Sequence, residues 1–193
     1  MGTLCPYKID KQFRHHGKEV PIVASVSGGR TSGLMLRMML DAGLDPIILF
    51  ANTGKERDET LDFVHALEIN WGARVIWVEY RRVPSDVNKA SLLKTERRAK
   101  NALKNPEMHW FIEVDYNTAA RHQDTWGPFD EFTKWVKTLP NVTARSCTKM
   151  LKLLPVFQYL WSNGITEFVN AIGIRADEQD RASDIVNMGG ARF

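Results

Sequence analysis

Ile22-Val23-Ala24-Ser25-Val26-Ser27-Gly28-Gly29-Arg30-Thr31-Ser32-Gly33 is the stretch that decides the fold. The β-branched run from Pro21 to Val26 predicts a buried strand, and Ser27-Gly28-Gly29 breaks it. From Thr31 the pattern turns helical. Leu34, Met38 and Leu40 to Ala42 are expected on the apolar face, with Gly43 as the stop. Strand, glycine turn and helix start together form an arrangement suited to phosphate. Two adjacent glycines let the backbone approach an anion, because no Cβ intervenes and positive φ costs little. The free N–H groups of the first helical turn and the helix dipole then favour negative charge. Ser27, Thr31 and Ser32 add hydroxyl donors, and Arg30 adds a fixed positive charge. The plainer alternative is a strand-to-helix turn with a Ser/Thr cap. Spacing excludes two familiar loops. No Gly-Lys-Ser/Thr follows four residues after a glycine, as a P-loop requires, and the third glycine of the dinucleotide fingerprint is missing.

Outward from this stretch, Pro46 to Ala51 is a second buried-strand pattern after a short linker. The result is a βαβ unit, hence a parallel sheet with a right-handed crossover. The second strand runs into Asn52-Thr53-Gly54-Lys55-Glu56. Ligands of open α/β sheets sit at the carboxyl ends of strands, which places Asn52, Thr53 and Gly54 on the functional edge. The alternative there is a turn with Asn52 or Thr53 as helix cap. Glu56 to Asn70 is expected to be a helix burying Leu61, Val64, Leu67 and Phe63, ended by Gly72. Arg74 to Tyr80 and Glu167 to Ile172 are further strands. Residues 1–20 form a lead-in, in which His15-His16 is a poor metal pair because adjacent side chains on an extended chain diverge. Residues 81–144 form a less regular insert. It contains a basic helix candidate, Lys94 to Lys104, and a short helix after Gly127.

A second chemical stretch is Ala144-Arg-Ser-Cys-Thr-Lys-Met-Leu-Lys-Leu-Leu-Pro155. Pro155 is expected in the first turn of a helix from Val156 to Asn163, preceded by a loop. Arg145, Lys149 and Lys152 stand near Cys147 in that loop. Such cations would lower a thiol pKa, and would equally bind phosphate or sulfate, Arg145 gripping two oxygens. A buried structural cysteine is the alternative for Cys147. After the last strand, Gly173-Ile-Arg-Ala-Asp-Glu-Gln-Asp-Arg181 alternates cations and carboxylates. It reads either as a salt-bridged surface turn or as part of an anion site.

These segments resemble, in order, the PAPS reductase-like (phosphoadenosine phosphosulfate reductase) branch of the adenine nucleotide α-hydrolase-like superfamily, to which the PP-loop ATP pyrophosphatases also belong. The superfamily loop Ser-Gly-Gly-x-Asp-Ser is matched by Ser27, Gly28, Gly29 and Ser32, with Thr31 in place of Asp. Asn52, Thr53, Gly54, Glu59 and Thr60 fit its Asp/Asn-Thr-Gly-x-x-x-x-Glu-Thr pattern. Cys147, Lys152 and Pro155 align with the Cys-Cys-x-x-Arg-Lys-x-x-Pro signature, in which Thr148 replaces the second cysteine. Gly173, Ile174, Arg175, Asp177, Glu178 and Arg181 match Gly-Ile-Arg-x-Asp-Glu-x-x-Arg. The middle of the chain (Val114 to Ala119, Pro128-Phe129 and Leu139 to Asn141) is similar too. The Glu-Cys-Gly-x-His segment that carries the catalytic cysteine of PAPS reductases does not occur among the 193 residues.

The resemblance implies a doubly wound, Rossmann-like α/β parallel sheet flanked by helices, forming one PP-loop nucleotide-binding domain over residues 1–193. It implies an adenine nucleotide ligand (PAPS, APS or ATP). Ser27, Gly28, Gly29, Arg30, Thr31, Ser32, Asn52, Thr53, Gly54, Arg145, Lys149 and Arg181 would bind the nucleotide and its phosphates. Cys147, Lys152 and Arg175 would serve the chemistry, and Asp177 and Glu178 would orient phosphate or hold Mg²⁺. A thiol reductant such as thioredoxin would be the redox partner. The competing readings are an ATP pyrophosphatase that adenylates an acceptor, such as a nucleic acid or tRNA, and a nucleotide-binding protein without catalysis.

Composition narrows the rest. Hydrophobic residues make 44% and charged residues 25% of the chain, a globular profile. The net charge of +3 permits an anionic ligand without pointing to nucleic acid, although Lys94 to Lys104 leaves such a partner open. Two cysteines, Cys5 and Cys147, cannot supply an iron–sulfur cluster or a four-cysteine zinc site, and they suggest no disulfide framework. A reducing cytoplasm is the expected compartment, with no apolar run of membrane-spanning length. A homodimer is left open.

Overall fold

A computed structural model describes residues 12–81, 100, 109–137, 139, 146–175 and 177. It begins with a small hairpin of β1 (Arg14–His15) and β2 (Lys18–Glu19) inside the expected lead-in. His16 and Gly17 make its turn, both at positive φ (49° and 78°), as a two-residue hairpin loop demands. Beyond it lie β3 (Ile22–Val26), α1 (Arg30–Asp41), β4 (Ile47–Asn52), α2 (Asp58–Trp71) and β5 (Val75–Tyr80). Next come β6 (Phe111–Val114), α3 (Pro128–Val136), a π-helical segment (Thr148–Leu153), α4 (Leu154–Ser162) and β7 (Val169–Ile172). Five strands form a mostly parallel sheet in the order β6-β5-β4-β3-β7, with helices flanking it. The fold is therefore α/β, as the strand and helix alternation predicts.

Contacts divide the chain into two compact units. One holds the residues up to Ile48 and those from Glu167 on, and the other spans Leu49–Thr166. In the first, β3 and β7 run parallel with Ile22 opposite Val169 and Ser25 opposite Ile172. Val23, Ala24 and Val26 are buried, and α1 packs on β3. The apolar face of α1 differs from the expected one. Ser32, Gly33, Leu36 and Met39 are buried, whereas Leu34 is exposed. The helix is apolar nearly all round (Leu34 to Leu36, Met38 to Leu40), so periodicity alone left its phase open. The small Ser32 and Gly33 settle it, because they let the first turn come close to its neighbours. Gly43 ends the helix as expected: its N–H reaches Leu40 O and the Leu44 N–H reaches Met39 O, a Schellman close.

In the second unit, α2 buries Leu61, Val64 and Leu67 and ends at Gly72 in the left-handed conformation. It starts at Asp58, two residues later than expected, which leaves Glu56 in the preceding turn. Asp58 and Glu59 then sit in the first turn, where the dipole favours them. The insert contributes β6, a strand the sequence reading did not foresee, antiparallel to β5. It is four residues long and half-buried or exposed, and its apolar Phe111, Ile112 and Val114 are part of an aromatic-rich stretch that reads equally as core or platform. The expected loop before Pro155 is instead helical: Ser146 and Cys147 lead into the π-helical segment, which continues as α4. Pro155 explains the widening. It has no N–H to give to the carbonyl four residues back, and its ring crowds that carbonyl. The Leu154 N–H reaches Lys149 O, five residues back, and the chain passes through the proline without breaking. Met150, Leu151, Leu154, Leu160 and Trp161 anchor this helix in the core, against β5 and, for α4, also β6. No described helix is long and apolar enough to cross a membrane.

Candidate functional site

Between β3 and α1 the chain makes the glycine turn into a helix start that the sequence predicts. Gly28 is at φ 73°, and Gly29 takes the N-cap position in an extended conformation. No side chain caps the helix, and no acidic residue stands in its first turn. The N–H groups at the start of α1 thus have neither a helical acceptor nor a capping oxygen. Ser27, Gly29 and Arg30 are exposed, and Thr31 is half-buried. Ser32 has a different role from its neighbours. Its hydroxyl is buried, accepts the Ser27 N–H at 3.1 Å, lies 3.2 Å from Ser27 Oγ, and donates to Gly29 O at 2.9 Å. It braces the loop from inside.

The end of β7 comes to the same place. Gly173 follows Ile172, and a Cβ built on it would lie 2.8 Å from Ser32 Cα, 2.8 Å from Ser32 N and 2.9 Å from Thr31 C. Only glycine allows that approach. It brings the backbone of Gly173 against the first turn of α1, two residues before Arg175. Arg175 is exposed and grips both oxygens of Asp177, at 2.9 and 2.5 Å. That hydrogen bonding holds the Asp177 carboxyl below its ordinary range. A divalent ion at Asp177 would have to displace the guanidinium first. Among the described residues no group of three or more His, Cys, Asp or Glu side chains could hold a metal ion. Glu178, Arg181 and Arg145 lie outside the described residues, as do Cys5 and most of Lys94–Lys104. Lys100 is described, with its ammonium 5.0 Å from the Trp161 ring centre.

The second unit carries its own polar cluster at the end of β4. Asn52 is fully buried. Its Nδ2 donates to Glu79 Oε1 (2.6 Å) and Ala120 O (2.9 Å), while Oδ1 accepts the Gly54 N–H (3.1 Å). With its amide spent inside the protein, Asn52 shapes the turn rather than presenting its side chain to a ligand. Glu79 Oε1 also accepts the Ala120 N–H at 2.8 Å, and burial raises its pKa against the pull of these bonds. Gly54 is at φ 72°, and Pro128 lies where its Cβ would stand, 2.6 Å away. Thr53 donates to Glu56 Oε1 at 3.1 Å, and the same oxygen receives Lys152 Nζ at 3.2 Å. Lys55 pairs with Asp130 at 2.9 Å. Lys149 and Cys147 are half-buried, and Cys147 is a free thiol.

Glu56, Glu79 and Gly173 are among the residues of these clusters that the sequence did not single out as site residues. Glu79 had a signal, a lone charge within the buried strand Val75-Ile-Trp-Val-Glu-Tyr80. Gly173 stands directly after a strand, where close backbone approach is a common reason for glycine. Glu56 lies in the run Lys55-Glu-Arg-Asp-Glu59, which reads as a solvated turn. None of the family models, curated proteins or solved structures compared with the chain matches it.

Proposed function

We propose that the chain binds an adenine nucleotide through its phosphates at the Ser27–Ser32 loop. We further propose that it acts as a PAPS reductase-like protein in sulfonucleotide or sulfur-transfer chemistry. The observation that carries this reading is the uncapped start of α1, with Gly28 and Gly29 before it and Gly173 packed against it. An anion placed there meets unpaired N–H groups and the positive end of the helix dipole, with Arg30 beside them and Arg175 two residues beyond Gly173. In this reading Cys147, Lys149 and Lys152 serve the transferable sulfonate, and a thiol reductant of the thioredoxin type restores the cysteine. Mg²⁺ would enter only with a phosphate chain that needs it. The protein would act in the cytoplasm, as a monomer or a homodimer.

The test is a calorimetric titration of the wild type and Arg30→Ala with PAPS, APS, ATP·Mg²⁺ and AMP. The expected result is preference for PAPS or APS over AMP. Arg30→Ala should weaken that binding about tenfold, the low end for a hydrogen bond to a charged group. Preference for ATP·Mg²⁺ would reassign the protein to the ATP pyrophosphatases. Absence of binding by all four would reduce the glycine loop to a turn.

A further inference from the structure

Lys152 does not stand as a free cation. Its ammonium lies 3.2 Å from Glu56 Oε1, and that oxygen is held in turn by the Thr53 hydroxyl at 3.1 Å. Thr53 Oγ1 itself accepts the Lys55 N–H at 3.4 Å, so the hydroxyl hydrogen is directed at the carboxylate. The chain of donors therefore runs from the Lys55 backbone through Thr53 to one oxygen of Glu56, and Lys152 meets that oxygen from the other side. Thr53 is buried, and Glu56 is less exposed (22%) than Lys152 (44%). The carboxylate is thus the fixed member of the pair and the lysine the mobile one. Ion pairs open to solvent contribute little, so the ammonium can leave at small cost. A terminal phosphate carries more charge than one carboxylate, a sulfonate carries the same charge, and either offers three oxygens to an ammonium.

We propose that Glu56 is the resident counter-anion of Lys152: it holds the ammonium in place and yields it to an anionic group of the ligand by exchange. Glu56 is then a positioning residue that sets how strongly Lys152 attracts anions. This rests on the nucleotide reading only for the identity of the anion, not for the exchange itself.

The experiment measures acetylation of Lys152 by an amine-reactive ester, followed by peptide mass spectrometry. It is run on the wild type and Glu56→Gln, with and without inorganic pyrophosphate or ATP. Without its carboxylate Lys152 should react about two- to fivefold faster, the factor that corresponds to a solvent-exposed ion pair. Pyrophosphate should protect it at a concentration lower by a similar factor than in the wild type. Glu56→Asp, with the carboxylate drawn back by one methylene, should shift both readings in the same direction. A purely structural Glu56 would alter melting temperature and leave the reactivity of this one lysine unchanged. Equal acetylation rates in wild type and Glu56→Gln would overturn the proposal, and so would absence of protection in both proteins. If calorimetry detects nucleotide at the glycine loop while Lys152 stays unprotected, the exchange is refuted and the nucleotide reading stands. If pyrophosphate protects Lys152 and no nucleotide binds, the reverse holds.

Discussion

Replacing Gly173 by alanine would put a methyl carbon 2.8 Å from both Ser32 Cα and Ser32 N, and 2.9 Å from Thr31 C. All three are backbone atoms of the first turn of α1, so no side chain can swing aside. Ordinary carbon contacts lie at about 3.5–4.0 Å, so the helix start or the strand end must retreat by roughly 0.6–1.2 Å. Overpacking of this kind costs about 1–3 kcal/mol. In a domain of this size each kcal/mol lowers Tm by about 2–4 °C, so a loss of about 2–12 °C is expected. The same displacement moves the N–H groups that would face an anion, and it acts on Gly28–Ser32 and Arg175 together. Nucleotide affinity should therefore fall more than the change in stability alone would produce.

A control separates the two effects. Gly72 is at φ 62° with nothing within 4 Å of its Cβ position. Gly72→Ala should cost about 1–2 kcal/mol from the left-handed conformation alone, with no change in nucleotide affinity. Thermal unfolding gives the stability of each variant, and calorimetry with PAPS and ATP·Mg²⁺ gives the affinity. If Gly173→Ala melts and binds like the wild type, β7 does not press on α1 and the shared site loses its basis. If it melts lower and binds normally, the contact is structural and the anion does not use the first turn.

Gly29→Ala is the complementary test, because its Cβ would meet only Ser27 Oγ at an ordinary 3.6 Å. It should cost no more than about 1 kcal/mol, as an N-cap change, while blocking close approach of an anion and lowering affinity in calorimetry at least tenfold, by the price of an unmade charge-assisted hydrogen bond. Glu79→Gln tests the buried carboxyl. Gln keeps an acceptor for Asn52 and Ala120, and it removes a group whose folded pKa lies above the ordinary value of 4.5. Below that value both states of the wild type are protonated and no penalty exists. As pH rises through it the unfolded chain ionises first, and stability is lost until the folded carboxyl ionises too. The Tm of Glu79→Gln relative to wild type should therefore rise with pH above about 4.5 and then level off, whereas a pH-independent difference would show that Glu79 is not desolvated.

The strands were legible because burial on both faces writes itself as β-branched or apolar runs, as in Ile22–Val26 and Ile47–Asn52. The helix ends were legible where glycine must adopt positive φ, as at Gly43 and Gly72. The phase of α1 was not, since Leu34 and Leu36 look alike and only the packing of Ser32 and Gly33 distinguishes them. Nor was β6, a half-exposed strand with no periodic face. The run before Pro155 looked like a loop because proline usually ends or begins a helix. A proline that opens a helix after a loop and one that a helix passes by widening to a π turn look alike in sequence, so the helical run before Pro155 was not legible. In the candidate site the donors were visible as residue types, but their partners were not. Nothing local says that Asn52 spends its amide on Glu79 and Ala120, or that Ser32 turns inward while Thr31 does not.

That difference bears on how the site would work. Cations of each unit already have carboxylates: Arg175 with Asp177 in the first, Lys152 with Glu56 and Lys55 with Asp130 in the second. A count of Arg and Lys in the sequence therefore overstates the positive potential a ligand meets. The start of α1 is the exception, since its attraction comes from backbone N–H groups that no side chain caps. An incoming phosphate would thus gain most at the glycine loop, where there is no resident anion to displace. It would gain less at each lysine or arginine, where it exchanges one anion for another. Such a site should bind weakly to a bare anion and discriminate by shape. A ligand long enough to reach both the loop and Arg175 gains from each, while a monophosphate gains from one.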